Sequence, residues 1–172
     1  MMLIMDAVVT SLEMTSRAQL LRGLPAPVEI AFDDAGPESA DLVRDTYNRI
    51  WEPLAAVGRT GWSAEQWARE LGHPAVHAWL ARIHNDIAGL AELEAEAGNV
   101  VGIVVFGLVP EFVGKGFGAA FLTDVIERAW ALPTSPADQP VRVWVETSSL
   151  DHPHALRNYT SRGFRVFATC ER

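Results

Sequence analysis

Cysteine is nearly missing from this chain: Cys170 is the only one among 172 residues, so no internal disulfide can form and nothing marks a secreted, cross-linked domain. A reducing cytoplasm is the expected home. Positive charge is scarce as well. Lys and Arg number 14 against 22 Asp and Glu, a formal net charge of −8, which argues against nucleic acid and anionic membranes as partners and favours a cationic one. No apolar run is long enough for a membrane span; the opening MMLIMDAVV carries Asp6, lacks a basic flank and falls well short of the ~20 residues a helix needs. It reads as a tail or an added edge strand. Repeats and low-complexity tracts are absent. The five histidines make no metal pattern, because Pro74 separates His73 from His77 and Pro153 separates His152 from His154, so no metal is expected.

What is present is an ordinary globular composition, 49% hydrophobic, at the length of one domain with one core. Residues 1–27 end in the turn-rich GLPAPV and read as an N-terminal extension, with the compact domain at 28–172. VEIAFD alternates like a half-buried first strand. ESADLVRDTYNRIW then takes a helical period, and SAEQWARELG offers a Ser63 cap, Gln66 three residues on and Gly72 as a stop. VHAWLARI, IAGLAELEAE and NVVGIVVFGLVP are apolar runs separated by HND and AGN, the signature of a three-stranded antiparallel meander. Residues 116–131 place Phe121, Leu122, Val125, Ile126, Ala129 and Trp130 on one helix face, opposite Thr123, Asp124, Glu127 and Arg128. VRVWVE reads as a further strand, PHALRNYTSR as a short helix with Pro153 in its first turn, and FRVFATC as the last strand.

The stretch VPEFVGKGFG poses the functional question. A strand ends at a proline, and a loop with three glycines and a lysine runs into a helix whose first amide N–H groups have no intrahelical partners. Such an end attracts phosphate, and glycines let a diphosphate approach the backbone; a plain turn with no ligand fits the stretch equally well. It is not a nucleotide P-loop, since no Ser or Thr follows Lys115, and GKGFG lacks the dinucleotide spacing.

A glycine loop leaving an antiparallel meander for a helix, then a strand, then a short helix bearing NYTSRGF and a last strand, resembles the GNAT superfamily of coenzyme A dependent N-acetyltransferases. VGKGFG matches the family loop at Gly116 and Gly118, with Val113 where Gln or Arg is expected. HALRNYTSRGF resembles the later motif, with Tyr159 four residues before Gly163 and His152 where an Asn often sits. SLDHPHALRNYTSRGFRVF is similar to uncharacterised bacterial members. The resemblance covers about residues 28–170 and implies an α/β fold, a mixed, mostly antiparallel sheet flanked by helices on both faces, with a splayed strand pair holding acyl-coenzyme A. It also implies acetyl-coenzyme A as co-substrate, its diphosphate cradled by the backbone of Val113, Gly114, Lys115, Gly116, Phe117, Gly118 and Ala119. Its pantetheine would bond main-chain groups near Gly107, Leu108 and Val109.

An acceptor amine with a pKa near 10.4 is neutral to only about one part in 2,500 at pH 7, a cost of roughly 4.6 kcal/mol, so a base or a water chain to one is useful. Glu92 and Glu94 share one strand face and lead the candidates; Glu146, beyond the splay, is a third, and all three also suit a solvated strand face. Gly102 stands where related chains often carry Glu. Tyr159 is the family-matched acid for the departing thiolate, with a core tyrosine as the plainer role. Trp51, Trp62 and Trp67 fall where the family builds its acceptor pocket and suit either a bound cation or helix packing. The expected activity is acetyl transfer to a primary amine of a small, cationic molecule; a noncatalytic acyl-coenzyme A binding module and a protein N-acetyltransferase are the alternatives. Oligomeric state is open, a homodimer included.

Overall fold

The turns at HND and AGN fold as expected: His84 and Asn99 take left-handed backbone, φ 56° and 59°, beside Gly98 at φ 80°, and the chain doubles back twice. The computed structural model describes residues 6–54, 56, 58–134 and 138–172. It contains strands β1 (Val8–Met14), β2 (Ile30–Ala35), β3 (Val76–Ile83), β4 (Asp86–Glu96), β5 (Val100–Leu108), β6 (Arg142–Ser148) and β7 (Arg165–Glu171). The helices are α1 (Ala40–Trp51), α2 (Ala64–Leu71), α3 (Gly118–Ala131) and α4 (Ala155–Ser161). Pro153 precedes α4 rather than opening it.

One sheet of seven strands runs in the order β2-β3-β4-β5-β6-β1-β7, antiparallel throughout except between β5 and β6. α3 lies on one face, with Phe121, Leu122, Val125, Ile126 and Ala129 wholly buried against Leu12, Leu93, Ile103 and Val143. α1 and α2 cover the other face over β3 and β4, through Val43, Tyr47, Trp67 and Leu71 against Leu80 and Leu90. The α2 start is the capping box expected from its sequence: Gln66 N–H donates to Ser63 Oγ at 3.2 Å and Ser63 N–H to Gln66 Oε1 at 2.8 Å.

The N-terminal segment departs from expectation. Residues 1–5 lie outside the described residues, but β1 is no edge strand: it is inserted between β6 and β7 and pairs with both. Its reason is burial. Leu12 and Met14 have no exposed surface and join the core under α3, which at about 1.5 to 3 kcal/mol per buried side chain makes β1 part of the domain rather than an extension ending at residue 27. β7 becomes the edge. Thr123, expected on the polar side of α3, is buried too, because Gly23 N–H donates to its hydroxyl at 3.0 Å while that hydroxyl donates to the Ala119 carbonyl at 2.8 Å.

The parallel pair β5 and β6 is the feature that makes a site. It is in register only over residues 100–103 and 142–145, although β5 continues to Leu108 and β6 to Ser148. Past that point the strands part, and the sheet has a gap.

Candidate active site

A cavity of about 680 Å³ occupies the gap and runs from the glycine loop, along β5 from Ile103 to Leu108, to the α1–α2 connection. Gly107 has to be glycine here, since a Cβ would come within 2.7 Å of Ile50 and 3.1 Å of the Trp51 ring. At the loop, Gly114 and Gly116 adopt φ of 74° and 88°, backbone that side chains rarely take. Open space surrounds the point where a Gly114 Cβ would sit, and Gly118 begins α3. The residue before it, Phe117, makes no side-chain cap, so the first amides of α3 carry no side-chain acceptor.

Of the loop residues expected to cradle a diphosphate, Val113, Gly114, Gly118 and Ala119 line the cavity, as do Gly107 and Leu108 on β5. Lys115 is exposed outside it. Gly116 lies against Pro27, Phe117 is buried edge-on to Phe112, and Val109 is buried with its N–H donating to the Ala88 carbonyl at 2.8 Å. Gly116, Phe117 and Val109 back the loop rather than line it.

Tyr159 lines the cavity from α4, packed edge-on to Phe106 at 6.2 Å and to Phe164 at 6.1 Å. Burial pushes its phenol up, and the charge of Asp151 adds to this, so it remains protonated across the neutral range. Asn158 beside it donates from Nδ2 to the Gly118 carbonyl at 3.1 Å, tying α4 to the first turn of α3.

The two leading base candidates stand elsewhere. Glu92 is fully buried beneath α1 and α2, where Nη1 of Arg59 donates to both carboxylate oxygens at 3.0 and 3.1 Å and Nη2 reaches Glu70 at 3.3 Å. Burial raises its pKa to about 7, against the lowering pull of Arg59. Glu94 is half-buried on the same strand, opposite Gly102, and like Glu92 is not in the cavity lining. Gly102 is itself explained: a Cβ there would meet the Trp144 ring at 2.8 Å, and that indole, donating to Glu96 at 3.1 Å, covers the place a glutamate would occupy.

Trp62 and Trp67 face the protein's own cation, the Arg59 guanidinium, at 4.5 and 5.3 Å from their ring centres. Trp51 is in the cavity wall, stacked on Tyr47 at 4.3 Å, and Arg59 N–H donates to the Tyr47 hydroxyl at 2.9 Å. The carboxylates lining the cavity are Glu146 and Asp151. Glu146 accepts from the Ser11 hydroxyl at 3.1 Å, and Asp151 from Thr147 Oγ1 at 3.0 Å and Ser148 N–H at 2.7 Å. His152 and His154 also line it, rings 5.2 Å apart; burial, then the neighbouring His154, lowers the pKa of His152. Asp151, His154 and Asn158 fall within the stretch SLDHPHALRNYTSRGF, which singles out the segment but gives none of the three a role, and Tyr47 carries no local signal of a site. Among the described residues no group of three or more His, Cys, Asp or Glu is placed to hold a metal.

A splayed parallel pair, a glycine loop at the start of a helix and a shared groove define a GNAT-type α/β fold. The chain belongs to the acetyltransferase (GNAT) family, whose sequence model matches residues 41–164. Solved structures of similar fold include a functionally unknown conserved protein from Staphylococcus epidermidis, with a TM-score of 0.67, 12% identity and coverage of 96% of this chain and 60% of that one. A GCN5-related N-acetyltransferase from Kribbella flavida aligns at TM-score 0.60, 18% identity, 96% of this chain and 56% of the other. Another from Sphaerobacter thermophilus aligns at 0.68, 15% identity, 95% and 50%. The chain thus spans 50% to 60% of the length of these proteins. A search of curated proteins found no match. Coenzyme A, the acyl carrier of the family, suits the loop end of the groove, given the open space at Gly114 and the amides of α3 that no side chain caps.

Proposed function

We propose that the protein transfers an acyl group, acetyl in the first instance, from acetyl-coenzyme A to a primary amine of a small cationic molecule by direct attack. One observation carries the reading: a single groove joins the glycine loop, the splay of β5 and β6, Tyr159 and the carboxylate residues Glu146 and Asp151. Acyl carrier at one end and ammonium at the other would meet at the splay.

Glu146 and Asp151 attract the ammonium form. Glu146, oriented by Ser11, then takes the amine proton directly or through one water, in place of Glu92 and Glu94, which the cavity does not reach. The amine lone pair attacks the thioester carbonyl carbon, the C–S bond breaks, and the thiolate takes the Tyr159 hydroxyl proton, which solvent later restores. Burial makes that phenol a weaker acid, but the same dry site raises the proton affinity of the thiolate.

Release of free thiol from acetyl-coenzyme A across a panel of diamines, amino sugars, amino acid amides and lysine peptides tests the proposal. Turnover confined to cationic small amines supports it; turnover of peptides alone would make this a protein acetyltransferase. The indole over Gly102 favours one competing reading, a noncatalytic acyl-coenzyme A binding module. Tight coenzyme A binding with no thiol release from any amine would establish that instead.

A further inference from the structure

Residues 20–29, which join β1 to β2, cross the outer side of α3 as a strap. Leu21 N–H donates to the Arg162 carbonyl at 2.9 Å, Gly23 N–H to Thr123 Oγ1 at 3.0 Å, and Arg22 pairs with Glu127. Farther on, Pro27 sits against the glycine loop, 3.4 Å from where a Gly116 Cβ would be. The crossing begins at Gly163, which has φ 102° and no room for a side chain, since the Gln19 carbonyl lies 1.9 Å from its would-be Cβ.

Between strap and helix lies the Arg162 guanidinium. A methyl group on Gly23 would come within 2.1 Å of its Nη1 and 2.6 Å of Ala119 Cβ, so strap, guanidinium and the first turn of α3 converge at one point. Nε and Nη1 are both buried, and neither has a hydrogen-bond partner among the described residues. Burying donors of a permanent cation without an acceptor is costly, and such a group calls for an explanation. Glu127, an acid beside the strap, is taken by Arg22. Two neighbours indicate where an anion would be: Ala119 lines the groove beside the uncapped amides of α3, and Asn158, one helical turn before Arg162, lines it as well.

We propose that Arg162 is a phosphate ligand of the coenzyme. This rests on the reading that the protein takes acyl-coenzyme A. Nε and Nη1 of the guanidinium are packed without acceptors under the strap; on coenzyme binding it turns about its own side-chain torsions and donates to a phosphate beside the first turn of α3. The coenzyme offers a diphosphate and a ribose 3′-phosphate, alike in chemistry as acceptors for a guanidinium.

Calorimetry on the full chain with coenzyme A, 3′-dephospho-coenzyme A and pantetheine tests this, using Arg162→Met, Arg162→Lys and the parent, with thermal melts of each. Arg162→Met keeps the apolar stem and removes the charge. Its coenzyme A affinity should fall at least tenfold and depend less on salt, while without added coenzyme the variant melts at or above the parent because two buried donors without acceptors are gone. Arg162→Lys should recover part of the affinity. An equal loss with 3′-dephospho-coenzyme A assigns the diphosphate, and a loss that vanishes with that analogue assigns the 3′-phosphate. Pantetheine, which has no phosphate, should bind parent and variant alike. Unchanged coenzyme A affinity, an equal loss for pantetheine, or a variant that melts well below the parent would make Arg162 a structural brace and overturn the proposal. Failure of the parent to bind coenzyme A at all would instead remove the functional reading beneath it.

Discussion

Glu92→Gln isolates the buried carboxylate under α2. Glu92 has no exposed surface, and its pKa is raised from the ordinary 4.5 to about 7, burial outweighing the attraction of Arg59. The folded protein therefore holds a proton that the unfolded chain has lost between those two values. The stability this group contributes is fully present below 4.5 and drains away as pH rises through 7. At 1.36 kcal/mol per pKa unit the whole effect is a few kcal/mol, roughly 2 to 3 kcal/mol of it between pH 5 and 8. Gln has the same shape, never ionises, and still offers an oxygen to the Arg59 guanidinium, so the variant should gain roughly 2 to 3 kcal/mol on the parent over that range. In a domain of this size that is roughly 5 to 10 °C in melting temperature. Denaturant titrations of both proteins at pH 5, 6, 7 and 8 measure the difference directly, and comparing the two cancels the contribution of the other acids. A flat difference would mean that Arg59 keeps Glu92 ionised throughout and that the Coulomb attraction exceeds the burial cost. Acetyl transfer should stay within about threefold of the parent, since Glu92 does not line the cavity.

Gly118→Val should melt close to the parent, because a Cβ there meets only Asn158 Nδ2 at 3.7 Å and Leu108 Cδ1 at 4.0 Å, yet lose coenzyme A binding by calorimetry; unchanged affinity would reduce the loop to a turn. Gly116→Val, by contrast, should lose stability as well, since its φ of 88° strains a branched residue. Tyr159→Phe keeps the ring packing and should lower kcat by about 10² to 10⁴, roughly 3 to 5 kcal/mol, at unaltered coenzyme A affinity; a loss under about threefold would remove the phenol from the mechanism. For a cationic acceptor, kcat/KM should fall as salt rises and Glu146→Gln should flatten that dependence; a parent rate indifferent to salt would count against an electrostatic acceptor site.

Short-range signals were legible in the sequence. Ser63 and Gln66 are three residues apart and cap α2 in any context, Phe121 to Trp130 share one face by helical period alone, and the HND and AGN turns join neighbouring strands. The glycine loop and the NYTSRGF helix were legible for the same reason, each being a contiguous run whose backbone needs show in its residue types. Long-range placement was not. β1 reads as a tail because nothing within VVTSLEM says that β6 and β7 leave a slot for it more than a hundred residues away; only the burial of Leu12 and Met14 in the assembled core decides that. Glu92 and Glu94 look alike as alternating strand residues, and it took the α1–α2 connection, swinging Arg59 over the sheet between two tryptophans, to make one of them the buried hydrogen-bond partner of a guanidinium. Gly102 could signal a lost base until Trp144, from a strand forty residues on, filled its place. Local sequence set the elements because caps, turns and period act within a few residues, whereas the identity of the cavity-lining carboxylates, Glu146 and Asp151, depended on which strands part and which helix covers which face, and that is settled only when the core closes.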